Sequence, residues 1–252
     1  MKSNRLQLNA DKTEVMWCAT GRRQHQLPTT PLSVNGVPVQ PVKSVRDLGV
    51  HIDGDLVMRT HVQRTVSRCF AVLRQLRQIR HVVPTSTFQT LVVSLVLSRL
   101  DYGNAVLVGL PAYLLNRLQS VLNAAARLIF GLRYTDHITE ALVSLHWLRA
   151  PQRIQFKVAV LAYKVLNGSA PQYLGPLVRT ADLPGRRPLR STASNRLDVP
   201  RFRLTTVGSR AFPVAASRIW NDLPADVTSS PSLSIFRRRL KTVLFKLSHN
   251  ID

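Results

Sequence analysis

Arginines recur every few residues between positions 59 and 80, and no Asp or Glu interrupts them. They are Arg59, Arg64, Arg68, Arg74, Arg77 and Arg80. Apolar residues in the same stretch repeat with helical spacing, so residues 57–80 are predicted to form a helix with a cationic face. Such a face can bind the phosphates of a nucleic acid, which need only positive charges at workable spacing. The pattern is equally compatible with a face that only keeps the helix soluble.

A His-x-Asp-x-Asp pattern at His51, Asp53 and Asp55 could offer a metal ion an imidazole and two carboxylates. In a strand, alternation would place His51 and Asp53 on the same face. The Asp53-Gly54-Asp55 sequence is also an ordinary turn whose carboxylates can cap the helix that follows. We expect the helix cap here, and no metal site.

Other residues with chemical potential have simpler explanations. The two cysteines, Cys18 and Cys69, belong to no Cys/His cluster, which argues against a zinc knuckle or a disulfide scaffold. His146 has no Ser, Cys or carboxylate at a catalytic spacing, so a hydrolase has no support. The triplet Arg237-Arg238-Arg239 is more typical of a solvated helix face than of an import signal. The large aromatic residues are expected to anchor the core and not to stack on bases; they are Trp147, Phe156, Tyr163, Tyr173 and Trp220.

The charge balance indicates a polyanionic partner. The chain has 35 Lys and Arg against 13 Asp and Glu, a formal charge of +22, and 45% apolar residues, enough for a folded core. RNA, DNA or an RNA–DNA hybrid is the expected partner, and an acidic membrane surface is the competing one. The most apolar run, from Leu91 to Leu110, is interrupted by Arg99 and Asp101, so no spanning helix is expected. We expect an intracellular protein, nuclear or cytoplasmic, with no membrane partner and no small-molecule substrate.

These residues should be held by a mainly α-helical protein with a small antiparallel sheet at its start. Residues 32–39 are predicted to form a hairpin that turns at Asn35-Gly36, and Val45 to Ile52 a third strand. Thr85 or Ser86 should cap the second helix. A segment rich in Arg, Pro and Ser, residues 180–207, is expected to be an exposed, partly mobile linker. The predicted helices span residues 57–80, 86–100, 112–130, 138–145, 151–167, 211–220 and 232–247.

Several spaced motifs carry a resemblance to a known family. The first is Leu8-Asn9-Ala10-Asp11-Lys12-Thr13-Glu14, and the second is Asp47-Leu48-Gly49-Val50-His51-Ile52-Asp53. The later ones are Leu100-Asp101-Tyr102-Gly103-Asn104, Leu118-Gln119-x-x-Leu122-Asn123, Leu145-His146-Trp147-Leu148, Arg153-Ile154-x-Phe156-Lys157, Ala170-Pro171-x-Tyr173-Leu174, Gly208-x-Arg210-Ala211-Phe212, Trp220-Asn221-x-Leu223-Pro224 and Phe236-Arg237-x-x-Leu240-Lys241. Through these motifs the chain resembles, almost end to end, the C-terminal part of the reverse transcriptases of non-LTR retrotransposons (LINEs) of the jockey and CR1 type.

The resemblance implies a division into a palm remnant with a β-hairpin at 1–55, a helical thumb-like bundle at 56–133 and a post-thumb region at 134–252. The arginine helix would then belong to the thumb, which closes over duplex, and Leu48, Gly49 and Val50 to the hairpin that grips the primer end. Lys12 matches a lysine that can protonate the leaving pyrophosphate. Without metals and a triphosphate, Lys12 is expected to be a solvated surface lysine and at most a vestigial general acid.

The resemblance places an aromatic-x-Asp-Asp turn, which holds the catalytic metals, upstream of Lys12. The chain contains no Asp-Asp pair, so it is expected to be a catalytically incomplete fragment of an RNA-directed DNA polymerase. No cofactor is expected, because Mg²⁺ would belong only to an intact polymerase. The expected residual activity is non-specific binding of RNA or RNA–DNA duplex. The alternatives are a decayed retroelement relic with no selected activity, and a thumb fragment that complements a separate palm.

Overall fold

The structure, a computed structural model, describes residue 9 and residues 12–183 and 195–251. Over these residues the protein is mainly α-helical, with two small antiparallel sheets near its start, which confirms the predicted fold class. The chain divides into two compact units, Met1–Ser67 and Arg68–Asp252, and the boundary along the sequence falls within the first long helix. No helix in the described part of the chain is long and apolar enough to cross a membrane.

The elements are given in chain order. The strands are β1 (Leu32–Val34), β2 (Val37–Val39), β3 (Ser44–Asp47) and β4 (Val50–Asp53). The helices are α1 (Arg59–Ile79), α2 (Thr85–Val92), α3 (Ser98–Asp101), α4 (Ala112–Phe130), α5 (Thr139–Ser144), α6 (Ala150–Leu166), α7 (Thr205–Gly208), α8 (Phe212–Asn221), α9 (Ala225–Thr228) and α10 (Leu233–His249). A π turn, Val93–Leu97, joins α2 to α3, and short 3₁₀ turns occupy Gly21–Gln26, Asn104–Leu107, Gln172–Leu174 and Thr180–Asp182.

The first unit contains two hairpins and not one hairpin plus a strand. β1 and β2 turn at Asn35 and Gly36, with φ values of 52° and 82°, which confirms the predicted tight turn. The single strand predicted from Val45 to Ile52 is wrong, because β3 and β4 turn back at Leu48 and Gly49, with φ values of 44° and 84°. Leucine seldom adopts positive φ, so Leu48 gave no turn signal.

A close backbone approach joins the N-terminal segment to the second hairpin. Ala19 N–H donates to the carbonyl of Gly54 at 2.9 Å, and Gly54 N–H donates to that of Lys43 at 3.0 Å. A Cβ on Gly54 would lie only 2.8 Å from the Trp17 carbonyl oxygen. Glycine is therefore required at position 54 for the segment to rest against the hairpin.

The second unit is a helical bundle in which α6 packs against α4, α8 and α10. Three aromatic rings form the centre of its core: Tyr163 stacks on Phe236 at 4.5 Å between centroids, and Trp220 stacks on Phe236 at 5.7 Å. The prediction that the aromatic residues anchor the core is confirmed for Trp147, Tyr163 and Trp220. It is wrong for Tyr173, which is 85% exposed because a short turn between Pro171 and Gly175 holds it at the surface.

Helix boundaries follow local signals where these are strong. Pro111 and Gly131 bound α4 as predicted, and the Ser232 Oγ accepts from Ile235 N–H at the start of α10. The predicted cap at Thr85 or Ser86 is wrong, because α2 begins at Thr85 itself and Pro84 occupies the capping position. The predicted helix 86–100 is also interrupted by the π turn.

The segment predicted to be a linker lies partly outside the described residues, which omit 184–194. Its described flanks are held in place. Thr180 N–H donates to the Arg196 carbonyl at 2.9 Å, and Asp198 N–H donates to the Val178 carbonyl at 2.8 Å. Leu197 is only 2% exposed and belongs to the core, because these bonds bring the returning chain across the helices.

Candidate nucleic-acid interface

The predicted arginine face is divided between the two units. Arg59 and Arg64 belong to the first, and Arg68, Arg74, Arg77 and Arg80 to the second. Arg59 lies 3.6 Å from the Asp55 carboxylate, one helical turn earlier. Arg64 and Arg68 are exposed.

Asp53 of the His-x-Asp-x-Asp pattern caps α1, as expected, and Asp55 closes the turn that precedes the helix. Asp53 Oδ2 accepts from Thr60 N–H at 3.0 Å, and Asp55 Oδ1 accepts from Val57 N–H at 3.1 Å. His51 is buried, and its backbone N–H donates to Nδ1 of His61 at 3.4 Å. Among the described residues no group of three His, Cys, Asp or Glu side chains could hold a metal ion.

The other residues singled out by the resemblance lie at the surface of the first unit. Lys12 is exposed in a turn that Thr13 closes by donating its hydroxyl to the Asn9 carbonyl at 2.7 Å. Leu48 and Gly49 form the tip of the second hairpin, with Leu48 84% exposed, and Val50 begins β4. An exposed hairpin tip is compatible with a contact to a primer, which stays a prediction.

A cleft of about 630 Å³ in the second unit lies between α1 and α4 and is lined by several arginines. We call it the arginine cleft. Its cationic residues are Arg74, Arg77, Arg80 and Arg127, and His81 also lines it. Its floor is apolar and consists of Phe70, Leu73, Ala124, Leu128 and Leu132.

Arg80 fastens α1 to the end of α4. Its Nε donates to the Leu128 carbonyl at 3.1 Å, its terminal nitrogen to the Ile129 carbonyl at 2.7 Å, and its guanidinium lies 5.2 Å from the Phe88 ring centroid. These carbonyls are in the last turn of α4, where free oxygens and the helix dipole both favour a cation. Arg80 therefore shapes the cleft, with two of its guanidinium N–H groups bound to backbone carbonyls.

Arg127 is held in a similar way on the opposite wall. Its guanidinium donates to the carbonyls of Arg133 at 3.3 Å and Asp136 at 3.5 Å, and it lies 5.5 Å from the centroid of the Tyr134 ring. Arg133 N–H in turn donates to the Asp136 carboxylate at 2.6 Å. Arg127 thus fixes the loop after α4 and leaves its positive charge at the cleft.

Arg74 and Arg77 are the uncommitted cations of the cleft. Both side chains are exposed, and neither guanidinium group makes a hydrogen bond or ion pair with any residue in the described part of the chain. Residues 56–135 contain 10 arginines, no lysine and, as acid, Asp101 alone. Asp101 is bound to Arg153 on both carboxylate oxygens, so it does not neutralise the cleft.

Several motif residues make structural contacts that the sequence did not predict. Asp101 forms a bidentate pair with Arg153 of α6. Gln119 Oε1 accepts from Ala150 N–H at 2.9 Å, which caps the start of the same helix. The Trp220 indole N–H donates to the Asn195 carbonyl at 2.7 Å. Their partners are distant in sequence, so spacing alone offered no signal for these contacts.

Comparison with known proteins adds no assignment. The chain matches no protein-family model, no curated protein and no solved structure.

Proposed function

We propose that this protein binds RNA or RNA–DNA duplex without sequence specificity, through the arginine cleft and the exposed arginines beside it. The observation that carries the proposal is the state of Arg74 and Arg77. Two exposed guanidinium groups lie one helical turn apart with no protein partner in the described residues, next to two arginines that are held in place. Phosphate oxygens are the partners that such groups lack.

The guanidinium chemistry of the cleft favours phosphate over a merely solubilising role. Guanidinium groups bind phosphate oxygens in pairs and are less strongly hydrated than ammonium groups. A solubilising face would be expected to mix acids with bases, whereas α1 and α4 contain no Asp or Glu. A backbone running along the cleft would meet Arg74 and Arg77 first and then the held charges of Arg80 and Arg127.

We further propose that the chain derives from the thumb and post-thumb region of a non-LTR retrotransposon reverse transcriptase. The motifs described above and the arginine-rich helix α1 support this origin. In such a polymerase the cleft would hold the duplex after synthesis. As the 252-residue chain, the protein would bind nucleic acid without polymerising it.

The salt dependence of binding tests the proposal. Affinity for duplex, measured by fluorescence anisotropy, should fall steeply with salt concentration, with a log–log slope of about 0.9 per phosphate neutralised on B-form DNA. The double variant Arg74→Ala/Arg77→Ala should flatten this slope by about two units and weaken binding to all sequences alike.

The matched control removes the same charge from another surface. Arg237 and Arg238 are exposed on α10 and do not line the cleft. Arg237→Ala/Arg238→Ala should change the slope by less than about one unit. If both double variants flatten the slope equally, binding is a property of total charge, and the view of the chain as a relic with incidental affinity for polyanions would be preferred.

A further inference from the structure

A second cavity in the second unit, of about 540 Å³, lies where the π turn, α3, the loop after α5, α6 and α10 meet. We call it the π-turn cavity. None of its lining residues belongs to the arginine cleft. Motif segments far apart in the sequence converge on it, through Asp101 and Asn104, His146 and Trp147, Phe156 and Lys157, and Lys241.

One wall of the π-turn cavity holds a buried acceptor that lacks a donor. The Asn104 side chain is only 4% exposed, and its Nδ2 donates to Asp101 Oδ1 at 3.3 Å. That bond fixes the orientation of the amide, because a carboxylate can only accept. Asn104 Oδ1 is left with no hydrogen-bond partner among the described residues. This oxygen has almost no accessible surface, so it lies within the packed wall and does not face the open space of the cavity.

Two unusual backbone features border the same cavity. Val93 and Leu97 are the ends of the π turn, and both line the cavity. His146 lies on the opposite side with φ at 51°, a left-handed conformation that is costly for a residue with a side chain. Costly backbone conformations persist where the surroundings impose them, and they are concentrated at binding sites.

The charges of the cavity call for an anion. Asp101 and Arg153 satisfy each other, with Arg153 Nε donating to Asp101 Oδ1 at 2.8 Å and a second contact between their terminal atoms. Lys157 on α6 and Lys241 on α10 remain as excess cations. Both side chains are exposed, and neither ammonium group forms a hydrogen bond or ion pair within the described residues. Two ammonium groups from neighbouring helices suit a phosphate group.

The rest of the lining is apolar and aromatic, with Trp147 and Phe156 beside Leu148. Ligand sites typically have about 300–1,000 Å³ of space, mostly apolar walls and a few polar groups that fix orientation. We propose that the π-turn cavity binds a nucleoside monophosphate unit. Lys157 and Lys241 hold the phosphate, and the aromatic side chains contact the base. The unit is either a free nucleotide or the phosphorylated end of a strand.

Isothermal titration of the full chain with adenosine 5′-monophosphate tests the site, with adenosine and inorganic phosphate as the two half-ligands. The nucleotide should bind at least about tenfold more tightly than either half. Inorganic phosphate binding as tightly as the nucleotide would overturn the role of the aromatic side chains. Nucleotide affinity weaker than about 10 mM would overturn the site itself.

Charge-matched variants locate the nucleotide. Lys157→Gln/Lys241→Gln should weaken nucleotide binding by about tenfold or more, since two charged contacts are lost. Arg238 and Lys246 are exposed on α10 outside the cavity lining, so Arg238→Gln/Lys246→Gln should change the affinity by less than about twofold. Equal losses in the two double variants would show non-specific attraction and overturn the proposal.

The site is independent of the arginine cleft, so the two proposals can fail separately. Arg74→Ala/Arg77→Ala should bind the nucleotide normally. Nucleotide binding that is lost in this variant and kept in Lys157→Gln/Lys241→Gln would place the ligand in the arginine cleft and overturn the assignment. A dinucleotide with and without a 5′-phosphate distinguishes the two sources. Competition by the phosphorylated form alone supports a strand end, and no competition by either supports a free nucleotide.

Discussion

The side-chain amide of Asn221 makes both of its hydrogen bonds to the backbone of Leu197. Oδ1 accepts from Leu197 N–H at 2.8 Å, and Nδ2 donates to the Leu197 carbonyl at 2.9 Å. The neighbouring Trp220 indole donates to the Asn195 carbonyl at 2.7 Å. Trp220 and Asn221 thereby hold the returning chain against the core. These bonds explain how a segment poor in apolar residues contributes the buried Leu197.

Asn221→Asp should destabilise the protein, because an oxygen would replace the amide nitrogen and face the Leu197 carbonyl. One hydrogen bond is lost and two acceptors are brought together, so the free energy of unfolding should fall by about 2 kcal/mol. Urea denaturation measures it. Asn116 is exposed on α4, and Asn116→Asp should change the free energy by no more than about 0.5 kcal/mol. Equal stability of the two variants would show that the bonds to Leu197 contribute nothing.

Arg80 and Arg74 should differ in what they stabilise. Arg80→Ala removes two hydrogen bonds to the end of α4 and the contact with Phe88, which should lower the free energy of unfolding by about 2 kcal/mol. Arg74→Ala should lie within about 0.5 kcal/mol of the parent protein and weaken nucleic-acid binding instead. A stability loss in Arg74→Ala as large as in Arg80→Ala would contradict the division of roles in the arginine cleft.

Burial of Cys69 should make the stability of the protein depend on pH in the alkaline range. Burial raises the pKa of the Cys69 thiol from 9.0 to about 11, partly offset by Arg99, and the thiol donates to the Val96 carbonyl at 3.7 Å. Since the raised pKa favours the protonated thiol in the folded state, this contribution to stability is complete below pH 9.0 and is lost as the pH rises towards about 11.

Urea denaturation at several pH values checks this dependence. Cys69→Ala should lose less stability over the alkaline range than the parent protein, since the alanine has no proton to release. Cys18 is exposed, so Cys18→Ala should keep the full dependence of the parent. If Cys69→Ala and Cys18→Ala follow the same curve, burial of the Cys69 thiol does not contribute.

The elements that could be predicted from the sequence are those bounded by strong local signals such as proline and glycine. Pro111 and Gly131 bound α4 because both act through their own backbone, and Asn35-Gly36 forms its turn for the same reason. Leu48 turns the chain without a local signal, so the second hairpin was missed. The composition of residues 180–207 predicts a linker and gives no sign that Leu197 is buried. That burial depends on Asn221, which is distant in sequence.

For the candidate sites too, local patterns could be predicted, whereas contacts between residues distant in sequence could not. Arginine spacing indicated the helix that forms one wall of the arginine cleft. It did not indicate that the Arg80 side chain donates to two backbone carbonyls of α4. The π-turn cavity could not be predicted, because Asn104, His146 and Lys241 meet only through the packing of distant helices. His146 gave no backbone signal, since its positive φ follows from the end of α5.

His146→Gly should stabilise the protein. His146 has φ at 51° directly after α5 has ended, where its N–H donates to the Val143 carbonyl at 2.9 Å. Glycine adopts this conformation at no steric cost, so the free energy of unfolding should rise by about 1 kcal/mol. His81 is exposed without positive φ, and His81→Gly should give no such gain. Thermal denaturation compares the two, and a destabilised His146→Gly would contradict the strain argument.

The 252-residue chain should incorporate no nucleotide on a primed RNA template with Mg²⁺ or Mn²⁺, even if it binds the duplex as proposed. Phosphoryl transfer of this kind needs two metal ions held by carboxylates at the primer end. The sequence contains no Asp-Asp pair to supply them, and the described residues offer no cluster that could substitute.

Extension of a labelled primer measures incorporation, and Lys12→Ala is the control that separates this chain from a contaminating polymerase. Lys12 is the residue that matches the pyrophosphate-protonating lysine, and its exposed position makes the substitution harmless to folding. A contaminant would extend the primer equally in both preparations. Extension by the parent chain that disappears in Lys12→Ala would mean that the chain is an active polymerase, and the account of it as a non-catalytic fragment would be wrong.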